Sequence, residues 1–201
     1  MPDPATFTAF EGQRRLVSGP LAEVALAIKR AGRNASEPVL IFSDATGRAF
    51  DLDLRGSDEQ ILARLAQNVA PEPVAIPNEP RGRGRPKLGV VAREVTLLPR
   101  HWEWLNAQPG GASVALRKLV EAARRTHGDA DRSRAARDAA YHFMAAMAGN
   151  LPDFEEASRA LFADDRYKFE SLIAAWPVDI RAHIVKLSSG IEAVDPANVN
   201  R

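Results

Sequence analysis

The amino-acid sequence predicts an α+β protein of three parts, and three observations support this prediction. Residues 1–68 alternate short strand-like apolar runs with amphipathic helical patterns. Residues 69–87 contain five prolines and two glycines, which leaves few backbone donors for regular structure. Beyond this linker the apolar residues have mainly helical periodicity. With 45% apolar and 26% charged residues the composition is that of an ordinary folded protein, which excludes wholesale disorder.

The N-terminal part, residues 1–68, is predicted to be a small ββαββα domain. Its elements are, in order, strands at 6–10 and 14–17, a helix at 21–31, strands at 39–42 and 50–54, and a helix from Ser57. Leu21, Val24 and Ile28 recur at helical spacing and indicate the first helix. Apolar and polar residues alternate over 50–54, which is typical of a half-buried strand.

The C-terminal part, residues 129–190, is predicted to be an all-helical domain, followed by a frayed tail at 191–201. Its four helices are placed at 135–148, from Pro152, from Asp164, and at 178–187. Proline or acidic residues begin the second and third of these helices.

Charge is distributed unevenly along the chain. The totals of 27 Lys and Arg and 26 Asp and Glu give a net charge of +1. Residues 1–80 carry −3, residues 81–137 carry +8, and residues 138–201 carry −4. A basic middle between two acidic flanks indicates contact with nucleic acid.

Composition also excludes several classes of protein. The chain has no cysteine, which excludes disulfides, thiolate metal sites and a cysteine nucleophile. No run approaches the ~18 apolar residues that span a bilayer, so no membrane partner is expected. The N-terminus lacks a basic region followed by an apolar run, so we expect a cytoplasmic protein, located at the nucleoid if it binds DNA.

The linker ends in a basic tip formed by Arg81, Arg83, Gly84, Arg85, Pro86 and Lys87. Glycine between arginines lets an extended backbone approach the minor-groove floor, while the guanidiniums follow the narrow groove of A·T tracts. A guanine amino group would obstruct that approach. Residues 83–86 resemble an AT-hook, which implies binding to A·T-rich DNA. A charged, soluble linker is the alternative.

Residues 88–128 combine a short strand at 91–98, a short helix after Pro99, a break at 109–111 and a longer basic helix from Ser113. So short a segment cannot bury a core alone. The order of elements resembles the ribbon-helix-helix (Arc/MetJ-like) DNA-binding fold. The residues that carry this resemblance are Val95-Thr96-Leu97-Leu98-Pro99 and Gly111-Ala112-Ser113-Val114-Ala115-Leu116-Arg117. A helical dimerisation module without DNA is the alternative.

The resemblance implies an obligate homodimer whose paired strands enter the major groove. It assigns Arg93, Glu94 and Thr96 to the DNA-facing ribbon, the amides of Ala112, Ser113 and Val114 to a phosphate clamp, and Val95, Leu97, Leu116 and Leu119 to the dimer core. The adjacent Leu97 and Leu98 leave two strand phases open, with either Thr96 or Val95 on the DNA side. We favour the first, because burying Glu94 beside Thr96 costs more than exposing Ala92.

Over nearly its whole length the chain also resembles a bacterial domain-of-unknown-function family, the one numbered 2239. The matching stretches are residues 18–24, 44–48, 84–90, 100–105 and 174–177. The family implies no activity, so function is inferred from the residues alone.

We predict no catalytic site, no metal site and no cofactor. The four histidines (His101, His127, His142 and His183) lack the spacing of a metal site. Acidic pairs such as Asp164 and Asp165 stand at helix starts, where the helix dipole accounts for them. The chain is therefore not expected to be an enzyme.

The predicted function is that of a DNA-binding protein, a homodimeric bacterial transcriptional regulator. It would place a β-ribbon in the major groove and an Arg-Gly arm in the A·T-rich minor groove. A nucleoid-associated architectural protein is the nearest alternative. An alternative of a different class is a protein-interaction or antitoxin-like module, which dimerises and binds another protein through a terminal domain.

Overall fold

A computed structural model of the chain describes residues 5–31, 37–69, 91 and 93–189. The chain divides into two compact units, which are described separately. The core unit consists of Met1–Ala70 and Asp129–Arg201, and the middle unit of Pro71–Gly128. Three strands and seven helices in the described residues confirm the α+β class.

The core unit begins with a three-stranded antiparallel sheet. Its strands are β1 (Thr6–Glu11), β2 (Arg14–Pro20) and β3 (Val39–Ser43), and β1 is central and pairs with both neighbours. Residues Thr8, Ala9 and Phe10 of β1 are all buried, so both faces of the sheet are covered. Alternation places Ala9 on one face and Thr8 and Phe10 on the other.

Two helices pack against the Ala9 side of the core unit. Helix α1 (Leu21–Ala31) buries Val24 and Ile28 in a cluster with Ala9, and helix α2 (Asp58–Val69) buries Ile61 and Leu65 in a cluster with Ala25 of α1. The start of α2 has a reciprocal capping box: the Ser57 amide donates to Gln60 Oε1 at 3.0 Å, and the Gln60 amide donates to Ser57 Oγ at 3.3 Å.

The predicted fourth strand at 50–54 is not formed, which corrects the ββαββα order to ββαβα. After β3 the chain turns at Asp44, and an isolated bridge between Phe42 and Ala49 is the last ladder contact. The guanidinium of Arg64 then donates to the carbonyls of Asp53 and Arg55. Side-chain donors thus satisfy backbone groups that a sheet would have paired, although the alternation of half-buried and exposed side chains remains.

Helices after the sheet form one hydrophobic cluster with Phe10 and Phe42 on its opposite face. They are α4 (Gly111–Met147), α5 (Phe154–Phe162), α6 (Arg166–Leu172) and α7 (Val178–Ser188). The ring centroid of Phe143 on α4 lies 5.2 Å from that of Phe10 and 4.8 Å from that of Phe42. The two segments that the sequence analysis treated as separate domains, 1–68 and 129–190, therefore share one hydrophobic core.

The turn after β3 approaches helix α4 closely. Gly47 has a φ of +64°, and a Cβ at this position would lie 1.8 Å from the carbonyl oxygen of Ala139. Only glycine permits both the left-handed backbone and this separation.

The middle unit contains helix α3 (Pro99–Asn106) and the first part of α4, which belongs to this unit up to Gly128. The sequence predicted two helices between Ser113 and Ala148, but α4 is one continuous helix of 37 residues. It contains no proline, and ion pairs at i,i+3 spacing (Glu121–Arg124, Asp129–Arg132 and Asp131–Arg134) support its exposed stretch. None of the helices described is long and apolar enough to cross a membrane.

Candidate nucleic-acid and dimerisation surface

The predicted minor-groove arm lies outside the described residues. This applies to Arg81, Arg83, Gly84, Arg85, Pro86 and Lys87. The AT-hook reading therefore stays a prediction from the sequence.

The predicted ribbon lies at the described start of the middle unit. Residue 91 and residues 93–98 form no strand within this single chain. Arg93, Glu94 and Thr96 are exposed, as the DNA-facing assignment requires, but Val95 is also 51% exposed. Both strand phases therefore remain open. A ribbon strand would take its hydrogen-bond partners from a second chain.

The predicted glycine turn between the two helices is present. Gly110 and Gly111 have φ values of +87° and +74°, which favour glycine, and the Gly111 amide donates to the Gln108 carbonyl at 2.9 Å. Helix α4 begins at Gly111 and not at Ser113 as predicted. The three clamp residues, Ala112, Ser113 and Val114, therefore lie in its first turn, where helix geometry leaves amides without acceptors.

Few side chains in the middle unit are buried. Among its described residues Leu105 and Ala115 are buried, and all the others are partly or fully exposed. Its exposed large apolar side chains are Val91, Val95, Leu98, Trp104, Leu119 and Val120. Of the predicted dimer core, Val95 and Leu119 are about half exposed, and Leu97 and Leu116 are partly buried.

A cavity of about 190 Å³ lies between α3 and α4, and its lining includes Trp104 of α3 and Leu119 of α4. Trp104 is 52% exposed and Leu119 is 48% exposed. The two helices of this unit thus leave apolar surface open at their junction, which would become buried if a partner packed there.

Helix α4 carries a group of exposed cations, Arg117, Lys118, Arg124 and Arg125, and the acidic Glu121 lies between them in the sequence. Arg93 and Arg100 are further exposed cations, which precede α4 in the described part of the unit. Arg117 and Arg124 are seven residues apart and share one helix face, which lies roughly opposite to that of Leu119. Exposed apolar and basic side chains therefore occur together on this part of α4, with Val120 beside Arg117 and Arg124 and Lys118 beside Leu119.

Sequence reasoning missed a polar cluster in the core unit, centred on Asp44 and His183. His183 is completely buried, its ring lies 4.6 Å from that of Phe143, and its Nε2 lies 3.6 Å from Asp44 Oδ1. Neither ring nitrogen has a hydrogen-bond partner among the described residues. The signal was present in the sequence, since Ile180, His183, Ile184 and Leu187 follow the i, i+3, i+4, i+7 rule that marks a buried helix face.

Electrostatics in this cluster oppose protonation of the histidine. Burial lowers the pKa of His183 to about 4, with help from the charges of Lys186 and Arg15 and against the attraction of Asp44. Burial raises the pKa of Asp44, but hydrogen bonds from Lys186, Thr8 and Thr6 lower it by more, so the net shift is downward. At neutral pH the cluster thus holds an ionised Asp44 beside a neutral His183.

No group of three or more histidine and acidic side chains that could hold a metal ion occurs in the residues described by the structure. The fold and its surfaces define a bipartite α+β protein, in which one unit has an extensive core and the other exposes apolar and basic side chains.

Comparison with known proteins identifies the family. The chain belongs to the family described as "Uncharacterized protein conserved in bacteria (DUF2239)", which matches residues 6–188. This confirms the whole-chain resemblance noted from the sequence. No curated protein and no solved structure matches the chain.

Proposed function

We propose that this protein is a homodimeric DNA-binding protein of the bacterial nucleoid that acts as a transcriptional regulator and not as an enzyme. The observation that carries the proposal is the composition of the middle unit's surface. The two buried residues of its described part, Leu105 and Ala115, cannot stabilise an independent fold, and half-exposed apolar side chains such as Trp104 and Leu119 favour association with a second copy.

DNA is the favoured ligand because of the charges on this unit. The middle unit has ten basic and five acidic residues, whereas the core unit has 17 basic and 21 acidic residues. Exposed arginine and lysine side chains neutralise phosphates and release counterions, which supplies most of the sequence-independent affinity for DNA. The acidic core unit would in turn repel the duplex, so contact would be confined to the middle unit.

In the proposed complex each part has a distinct role. The ribbon residues Arg93, Glu94 and Thr96 would enter the major groove, and the first turn of α4 would hold a phosphate. The arm around Arg83 and Arg85 would lie in the adjacent minor groove of A·T-rich DNA. Because Arg93 is the one cation of the ribbon, most of the affinity would come from the DNA backbone and the minor groove.

A salt titration tests the proposal. Fluorescence anisotropy of a labelled A·T-rich duplex should give a plot of log affinity against log salt with a slope of about −0.9 for each phosphate neutralised, so that several contacts give a steep line. No binding at micromolar protein, or a flat plot, would contradict a DNA function. It would favour the antitoxin-like alternative, in which the same apolar surface binds a protein.

Paired variants test the arm. Arg83→Ala with Arg85→Ala should weaken binding to A·T-rich DNA by more than tenfold and binding to G·C-rich DNA by much less. The matched control is Arg159→Ala with Lys168→Ala, which removes two exposed cations that pair with Glu156 on the core unit. Equal losses on both duplexes would reject minor-groove recognition. Bending of the duplex without sequence preference would favour the architectural alternative.

A further inference from the structure

A cavity of about 210 Å³ lies in the core unit, where helices α4, α5, α6 and α7 converge. Leu161, Phe169 and Val185 give it an apolar wall. Its charged lining consists of Arg137, Asp164, Arg166 and Glu170. At ~30 Å³ for each water the volume corresponds to about seven waters, which suits a small metabolite and not a drug-sized ligand.

Arg137 has an unused binding capacity toward this cavity. Its guanidinium side chain is 25% exposed and lies 3.2 Å from the carboxylate of Asp164, the one polar contact of this side chain within the described residues. Asp164 is 83% exposed, so its carboxylate is well solvated although it lies beside the partly buried guanidinium of Arg137. Its φ of +59° places it in a strained turn. A guanidinium has five donors, so Arg137 can also bind a second carboxylate through a forked pair of hydrogen bonds.

The lining of the cavity also contains groups that attract a cation. Glu170 carries a carboxylate there and pairs with Arg166 at 2.8 Å. The last turn of α7, with Ser188 and Ser189, borders the same space. The carbonyl end of a helix carries partial negative charge and attracts an ammonium group.

We propose that this cavity binds a free amino acid with a branched apolar side chain. The α-carboxylate would bind Arg137, the ammonium would lie between Glu170 and the end of α7, and the side chain would pack against Phe169 and Val185. The two arginines and two carboxylates of the lining cancel, so a zwitterion adds no net charge, whereas a simple anion or cation would. Ligand binding here does not depend on DNA binding, and its measurement needs no DNA.

Isothermal titration of the full chain with L-leucine tests the proposal. We expect saturable binding of one leucine for each chain. 4-Methylpentanoate lacks the ammonium and isoamylamine lacks the carboxylate, and each should bind at least tenfold more weakly than leucine. Arg137→Ala should also weaken leucine binding at least tenfold, while the control Arg159→Ala, on α5 outside the cavity, should leave it unchanged.

Three results would overturn the proposal: no saturable binding at up to about 10 mM leucine, equal binding of 4-methylpentanoate, or unchanged affinity in Arg137→Ala. If circular dichroism shows that Arg137→Ala is unfolded, Glu170→Gln replaces it, since that carboxylate is 48% exposed and not part of the hydrophobic core. A tenfold loss in Glu170→Gln would support the ammonium site, and an unchanged affinity would contradict it.

Discussion

The core unit and the middle unit bury their apolar side chains to very different extents. In the core unit, Phe10, Phe143 and Ile184 are completely buried in one cluster that joins the sheet to the C-terminal helices. In the described part of the middle unit, Leu105 and Ala115 are the buried residues, and Trp104 and Leu119 are about half exposed. The core unit therefore buries enough apolar surface to account for its own stability, whereas the described part of the middle unit leaves much of its apolar surface exposed to solvent.

Removal of an aromatic ring from the core unit should change the free energy of unfolding more than any other substitution considered. Phe143→Ala should lower the free energy of unfolding by about 3–5 kcal/mol, because it leaves a cavity where the sheet and helices meet. Urea unfolding followed by circular dichroism measures this. Phe162→Ala is the matched control, since Phe162 is 50% exposed and should cost much less. Similar losses in the two variants would contradict the shared core.

Acid should destabilise the core unit through His183. An ordinary histidine has a pKa of 6.5 and burial lowers that of His183 to about 4, so the unfolded chain binds more protons between these values. The contribution of a neutral His183 to the free energy of unfolding is therefore fully present above pH 6.5. It decreases by up to about 3 kcal/mol as the pH is lowered toward 4. The lowered pKa of Asp44 adds a further loss below its ordinary 3.8.

Urea midpoints measured from pH 7 to below pH 3.8 check this dependence, in which His183 acts between pH 6.5 and pH 4. His183→Met should flatten the curve in that window, whereas Asp44→Asn should remove the loss at lower pH. His101→Gln is the control, because His101 is exposed on α3 and should leave the curve unchanged. A curve that keeps its slope in His183→Met would show that another group is responsible.

An effect of intermediate size is expected at the apolar surface of the middle unit. Leu119→Glu should weaken dimerisation at least tenfold, because it would place a charge in the proposed interface. Sedimentation equilibrium of the full chain measures the association. Phe162→Glu places the same charge at an equally exposed position of the core unit and should leave the dimer intact. A wild-type chain that is monomeric at high micromolar concentration would disprove the proposed association.

The smallest effect is expected at two glycines, Gly128 in helix α4 and Gly47 in the turn after β3. Gly128 lies inside α4, so Gly128→Ala should stabilise the chain by up to about 1 kcal/mol through helix propensity. Gly47→Ala should have the opposite sign, because its Cβ would strike the Ala139 carbonyl. Thermal unfolding of both variants measures this. Stabilisation by Gly47→Ala would show that the turn after β3 can move away from α4.

Local patterns in the sequence predicted much of the fold. Strand β1 follows from alternation, β3 from a short continuous apolar run, helix α1 from helical spacing, and the glycine turn before α4 from Gly110 and Gly111. The prediction of a strand at 50–54 was wrong. Alternation indicates which side chains are half-buried, but it does not indicate which groups form hydrogen bonds with the backbone. There, the guanidinium of Arg64 occupies the carbonyls instead.

Features that depend on contacts between distant segments could not be predicted in this way. The shared core, for example, depends on Phe10 meeting Phe143. Asp44 and His183 are likewise 139 positions apart in the sequence. No periodicity of a single segment reports such pairs. The candidate DNA surface was predicted by resemblance, and the structure adds the exposure of Trp104 and Leu119.

The shared core also sets an order of events during synthesis. Phe10 and Phe42 leave the ribosome early, but Phe143 and Ile184, which cover them, are more than 100 and 140 residues further along. At about 5–20 residues per second, the sheet face would wait about 5–30 s for its covering helices. During that interval a chaperone or an unfinished neighbouring chain could bind the exposed aromatic rings. The yield of folded protein should therefore depend on translation rate as well as on thermodynamic stability.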